Sequence, residues 1–124
     1  MPDLTDIADV AGIDVWGTTV RARVIAGERA SLALVELDPD AVVPEHLHDN
    51  EQLGIVIEGS VTFTIAGVTR ILGPGGTWRI PSGATHDIVA GSSGAVVVDV
   101  FAPVRADWAA LPRSEPRALR WPRG

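Results

Sequence analysis

The chain has 124 residues, a net charge of -6 at pH 7 and no cysteine. That length suits one domain with a core of its own, and the missing thiols exclude a disulfide framework, a thiolate zinc site, an iron–sulfur cluster and a cysteine nucleophile. A pI near 4.8 argues against a nucleic-acid partner, because phosphate binding draws on a surplus of basic side chains.

The opening residues, MPDLTDIADV, carry neither the basic region nor the continuous apolar stretch of a secretory signal, and no later run approaches membrane-spanning length. A soluble, cytoplasmic protein with no membrane partner is the expectation. Thr5 to Val10 has helical signal for a turn or two. Strands are predicted at Thr18 to Ile25, Ser31 to Leu37, Ala41 to His48, Gln52 to Glu58, Ser60 to Ile65, Thr69 to Leu72, Thr77 to Ile80, His86 to Ala90 and Ala95 to Phe101. The breaks between them carry turn chemistry: Ala26-Gly27, Asp38-Pro39-Asp40, Glu58-Gly59, Ala66-Gly67, Gly73-Pro74-Gly75-Gly76, Pro81-Ser82-Gly83 and Gly91-Ser92-Ser93-Gly94. Short strands so spaced predict an antiparallel sandwich or barrel.

A second helical turn fits Ala106 to Leu111. From Pro112 on, PRSEPRALRWPRG has no alternation and reads as an irregular tail, with Leu119 and Trp121 as its anchors. All ten basic residues are arginine and five lie between Arg105 and Arg123, so this end is expected to be a surface segment answering the acidic body. Trp16 and Trp78 read as core, and Trp108 and Trp121 as ties for the C-terminal segment. The organisation expected is a single domain over residues 1–124, with a barrel core at about 16–104 and a tail at 105–124.

The stretch PEHLHDNEQLGIVIEG, Pro44 to Gly59, holds two of the three histidines. His46 and His48 are two apart in a segment read as extended, so both rings leave one face and can meet one ion. Asp49-Asn50-Glu51 is turn-like and would fold Gln52 back beside them. His86 follows the turn Pro81-Ser82-Gly83, which would launch a strand toward the same place. Taken alone, an H-x-H pair is as readily a pair of surface or hydrogen-bonded histidines.

Asp99 interrupts the apolar run of VVVDVFAPVRADW, Val96 to Trp108. A buried carboxylate without a partner is costly, so Asp99 needs a partner or a task. If it faces inward, Val97 and Phe101 do too, and Val96, Val98 and Val100 face the other way. Otherwise it points to solvent or pairs with Arg105. The outward row Leu53, Ile55 and Ile57, opposite an inward Gln52, needs a cover, and a homodimer is expected.

Pro44, His46, His48, Gln52 and Gly59, then fifteen residues to Gly75, then Pro81, Gly83 and His86, resemble the paired motifs of the cupin superfamily, G-x5-H-x-H-x3,4-E-x6-G and G-x5-P-x-G-x2-H-x3-N. The resemblance covers Asp40 to Ala90, although Asp40 and Ala90 stand where the family has glycine and asparagine. It implies an all-β fold, the double-stranded β-helix or jelly-roll barrel, with helical turns only at the ends. It also implies one divalent transition metal (nickel, zinc, manganese, iron or cobalt) held by His46, His48, Gln52 and His86, or by the histidines with water in place of Gln52. Glutamine stands where the family has a glutamate ligand. An amide there leaves the ion its full charge, which favours Lewis-acid chemistry over high oxidation states.

The glutamine, with Asp99, Phe101 and Arg105 in a D-x-F-x3-R spacing, resembles the KdgF-type cupins of pectin and alginate breakdown, which open 4,5-unsaturated uronate monosaccharides to linear keto sugars. The resemblance implies catalytic roles for Asp99 and Arg105, substrate contacts for Phe101 and Arg105, and a carboxylated sugar as the small-molecule partner. The alternatives are an iron-dependent dioxygenase, a Lewis-acid cyclase or isomerase of secondary metabolism, and a sugar-binding cupin without turnover.

Overall fold

The structure, a computed structural model, describes residues 2–123, so Met1 and Gly124 at the ends of the expected domain and tail lie outside the described residues. Its strands are β1 (Ile13–Trp16), β2 (Val20–Ala26), β3 (Ser31–Leu37), β4 (Val42–His46), β5 (Glu51–Ile65), β6 (Val68–Leu72), β7 (Thr77–Ile80) and β8 (His86–Ala102). Short 3-10 turns at Ile7–Asp9 and Ala106–Ala110 fall where helical signal was read. No helix among the described residues is long and apolar enough to cross a membrane.

Two strands run through expected breaks. β5 has 15 residues and β8 has 17, because Gly59 and Gly94 bend the chain without ending its ladder. Their φ angles, +77 and +74, suit glycine, and a Cβ on Gly59 would overlap the Gly94 carbonyl. The β5–β8 ladder shifts register between Val56 and Glu58 and between Gly59 and Val61, then resumes. Each long strand therefore serves two sheets. The order is β1-β2-β3-β8-β5-β6, with β4 added to β8 and β7 to β5. The first half of β5 and the second half of β8 lie beside β7 and β3, and the other halves beside β6 and β4. The inner faces, including Val35, Val43, Val56, Phe63, Ile80 and Val97, meet in one core, giving an all-β jelly-roll barrel.

β1 precedes the first predicted strand. β4 stops at His46, its ladder to β8 interrupted between Val43 and His46, where Pro44 has no N–H to give. His48 therefore lies in a loop, tied down by the Gly83 N–H, which donates to its carbonyl at 2.9 Å.

The tail returns along the N-terminal segment: the Asp14 N–H donates to Pro112 O at 2.8 Å and the Ser114 N–H to Gly12 O at 2.9 Å. Beyond that its arginines hold it. Arg120 donates to Glu36 at 3.3 Å and Asp38 at 3.5 Å, and Arg123 grips Glu58 through two hydrogen bonds at 3.0 and 2.9 Å. Glu36 is buried beneath, 3.8 Å from Arg21. The tail answers the acidic body as its charge implied, but Trp121 is 37% exposed and Leu119 only half-buried, so the expected apolar anchors are secondary. Arg120→Ala, which leaves Glu36 and Asp38 a donor short, should cost about 1 kcal/mol, or about 3–5 °C in Tm, and less in high salt. Trp121→Ala should move Tm by no more than about 1 °C. Equal losses in thermal unfolding would return the anchor to the tryptophan.

Candidate functional site

His46 closes β4 opposite His86, which opens β8. With His48 from the following loop, one ring nitrogen from each histidine lies within 4.8 Å of the other two. The backbone decides which nitrogen faces the cluster. Nδ1 of His46 donates to Pro44 O at 2.8 Å, Nδ1 of His48 to Asn50 O at 2.9 Å, and Nδ1 of His86 to Ala84 O at 2.9 Å. A carbonyl only accepts, so each Nδ1 carries the proton and each neutral ring is left with a lone pair on Nε2. Desolvation, reinforced by the charge of Arg105, lowers the pKa of His48, and desolvation brings His86 down to about 4.

Gln52 is buried in β5, and its side-chain nitrogen donates to Asp99 Oδ1 at 2.9 Å. Its oxygen is left 3.1 Å from His48 Nε2. With His48 neutral, both atoms are acceptors. Buried His86 Nε2 has no hydrogen-bond partner among the described residues. Gathering lone pairs away from water without a donor is costly, and a cation removes that cost. Imidazole nitrogens backed by Nδ1–H donation to carbonyls, plus one amide oxygen, fit a divalent transition metal. Glu51, next to Gln52, is exposed and supplies nothing here.

Asp99 faces inward and is buried, as are Val97 and Phe101. In register across β3, β8, β5 and β7 stand Ala33, Asp99, Gly54 and Trp78. The two small residues leave the carboxylate room, and Asp99 Oδ1 accepts from both Gln52 and Trp78 Nε1, the latter at 2.8 Å. Burial pushes the Asp99 pKa up to about 6 against the pull of these two donors and of the Arg105 charge. Its other oxygen, Oδ2, takes no hydrogen bond from the described residues.

Arg105 reaches the same cavity, but its ion-pair partner is not Asp99. Nε and Nη2 donate to the two carboxylate oxygens of Asp107 at 2.9 and 2.8 Å, and the guanidinium lies over the rings of Phe101 and Trp108 at 4.8 and 4.5 Å. Phe101, expected to pack on a sugar, thus carries Arg105 over its ring. Three contributors escaped the sequence reading. Asp107 lies in the predicted 3-10 turn, whose helical signal does not say where its carboxylate points. Trp16, read as core, sits 5.4 Å from the His46 ring and lines the cavity. Trp78, also read as core, spends its N–H on Asp99, which nothing in its local sequence marks.

The cavity these groups frame is about 60 Å³, room for about two waters at liquid density. A larger one of about 670 Å³ lies between the tail and the outer face of β2 and β3. It has no histidine. Its Arg21 and Arg23 are spent on Asp38 and on the backbone carbonyls of Thr18, Ile7, Ala8 and Arg117. The reactive groups belong to the smaller cavity.

These environments set opposing pH dependences in the metal-free protein. His86 titrates near 4 when folded against an ordinary 6.5, so its burial costs stability as pH falls from about 6.5 to 4. Asp99, raised from 3.8 to about 6, stabilises the fold at low pH and loses that contribution as pH rises through 6. Asp99→Asn removes the second effect. Its Tm should therefore fall more steeply than that of the wild type between pH 6.5 and 4, and parallel curves would contradict the assignment.

The cupin-domain family model matches residues 33–101, which include the three histidines, Gln52, Asp99 and Phe101. Over 94 residues, 74% of this chain and 86% of the relative, the sequence is 29% identical to the pectin degradation protein KdgF of Dickeya dadantii. The solved structure of KdgF from a Halomonas species is similar with a TM-score of 0.72 and 28% identity, over 77% of this chain and 88% of that one. An RmlC-like cupin of Shewanella frigidimarina gives a TM-score of 0.80 over 86% of this chain and 96% of that one, at an identity of 21% that speaks for the fold alone. Sequence match, barrel and neighbours agree, and the chain belongs to the cupin family.

Proposed function

We propose that this cupin is a metal-dependent enzyme that opens a 4,5-unsaturated uronate sugar to a linear keto sugar. The observation that carries this reading is the convergence of histidine and glutamine lone pairs beside a buried carboxylate and a stacked arginine. Similarity to two KdgF proteins, one named for pectin degradation, supports the substrate class. A divalent ion would be held by His46, His48, His86 and Gln52, and it would supply Lewis-acid polarisation of a sugar oxygen.

The surrounding residues divide the remaining work. Arg105, with one edge fixed by Asp107, keeps Nη1 to meet the substrate carboxylate, and Phe101 and Trp108 hold its plane. On ring opening the bond from the anomeric carbon to the ring oxygen breaks, the anomeric hydroxyl loses a proton as it becomes an aldehyde, and the ring oxygen gains one. The enol so formed becomes a ketone when that oxygen gives up its proton and the far carbon of the double bond, C4, takes one. No proton is gained or lost overall, so one group alternating between acid and carboxylate suffices. Asp99, through Oδ2, is that group, and a pKa near 6 leaves both forms accessible near neutrality. A cavity of about 60 Å³ admits only the reacting end of a sugar, so the rest sits at the mouth beside Trp16.

The outward face of the same sheet supports a homodimer. Leu32, Val100 and Leu53 form one row across β3, β8 and β5, and Leu34, Val98 and Ile55 the next. Leu32, Leu53 and Ile55 are 42%, 44% and 37% exposed while Leu34 is buried, so an apolar strip bordered by Arg79 is open to a copy of itself. Light scattering at micromolar concentration should give twice the chain mass; a monomer would contradict pairing.

The substrate is tested by incubating metal-loaded protein with the unsaturated monouronate and following loss of absorbance from the conjugated double bond. The wild type should accelerate that loss, and Asp99→Asn should slow turnover by about 10²–10⁴-fold. Gln52→Glu should retain the ion and turn over more slowly. No acceleration over buffer would remove this substrate.

A further inference from the structure

A carboxamide is nearly symmetric in shape, so its neighbours decide whether its oxygen or its nitrogen faces a given point. At Gln52 the choice matters. The oxygen can meet a cation, whereas the NH₂ group would turn donors toward it. Among the described residues, the only partner holding the Gln52 nitrogen is Asp99 Oδ1, and that oxygen also receives the Trp78 indole N–H at 2.8 Å. The indole reaches it because Gly54 stands between them in register. A Cβ at Gly54 would overlap Trp78 Cε2, Nε1 and Cζ2. Glycine inside a strand weakens the strand, and here it leaves the passage through which the N–H is delivered. Phe63, with its ring centroid 4.8 Å from that of Trp78, packs beside the indole.

We propose that Trp78 is a positioning residue for Gln52: its N–H, passed across Gly54, fixes the Asp99 carboxylate, which holds the Gln52 oxygen toward His46, His48 and His86. The consequence for the ion rests on the reading of those histidines as a metal site; the orientation of the amide does not. Without the indole donor, the carboxylate can rotate about its own bond, and the amide loses the fixed acceptor that sets its face. Trp78 touches neither the reacting sugar nor the ion in this role.

The chain has one glutamine and one asparagine, so only Gln52 and Asn50 contribute side-chain NH₂ signals to an amide nitrogen–proton correlation spectrum. In metal-free wild type, the Gln52 pair should be shifted downfield and slow to exchange, as should the Trp78 indole proton. A Trp78 indole proton in fast exchange would overturn the proposal before any variant is made. Trp78→Phe keeps an aromatic ring in place and removes the donor, together with part of the indole's volume. It should move the Gln52 pair to the position of a free amide while the Asn50 pair stays; an unmoved Gln52 pair overturns the proposal. Gly54→Ala, which displaces the indole, should do the same.

Affinity for zinc or nickel, by competition with a chelator, should fall about 10–100-fold in Trp78→Phe. In a Gln52→Ala background the same change should cost nothing further, because Trp78 acts through Gln52. Additive losses would overturn the proposal. A wild type that binds neither ion would instead contradict the metal reading, and the Gln52 signals would still decide the orientation.

Discussion

Four acceptor atoms aimed at a small space with no donor among them form the constraint around which this barrel is organised. Left alone, the Nε2 lone pairs of His46, His48 and His86 and the Gln52 oxygen repel, and burial of His86 Nε2 removes the water that would relieve them. The arrangement persists because every other polar atom of these side chains is committed. Three backbone carbonyls take the Nδ1 protons, and Asp99 takes the glutamine N–H. A positive ion is what such a set of lone pairs lacks.

The fold supplies these commitments through two bent strands. β5 brings Gln52 and Gly54, and β8 brings His86, Asp99 and Phe101; because each belongs to both sheets, residues far apart in sequence share one end of the barrel. A glycine and an alanine flank Asp99 in its row, so a carboxylate and an indole fit where larger side chains would fill the core. Arg105 comes from beyond β8 and is stacked before it meets any ligand. Stacking and the Asp107 pair mean that little side-chain freedom is lost when a carboxylate arrives.

Much of this was legible in the sequence. Alternation and turn residues placed most of the strands, and the spacing of His46, His48, Gln52 and His86 marked the cluster. Asp99 stood out because a carboxylate in a valine run must be answered. What could not be read follows from tertiary geometry. Gly59 and Gly94 look like turn residues, but Gly59 pairs with Ala95, next to Gly94, across a ladder, and the two glycines act as a bend, which fused four predicted strands into two. His48 was read in a strand that ends two residues earlier, since local alternation does not register the ladder lost at Pro44. Trp78 is indistinguishable from a core tryptophan until Gly54 and Asp99 are known to lie in its row. The tail's attachment depends on which acidic residues its arginines reach, which composition alone does not specify.

Titration of metal-free protein with zinc or nickel, with stoichiometry read by native mass spectrometry, tests the central claim most directly. The lone-pair geometry predicts one ion per chain in the wild type and its loss in His86→Ala, since His86 Nε2 is buried with no hydrogen-bond partner among the described residues. No bound ion, or an ion retained undiminished without His86, would contradict it.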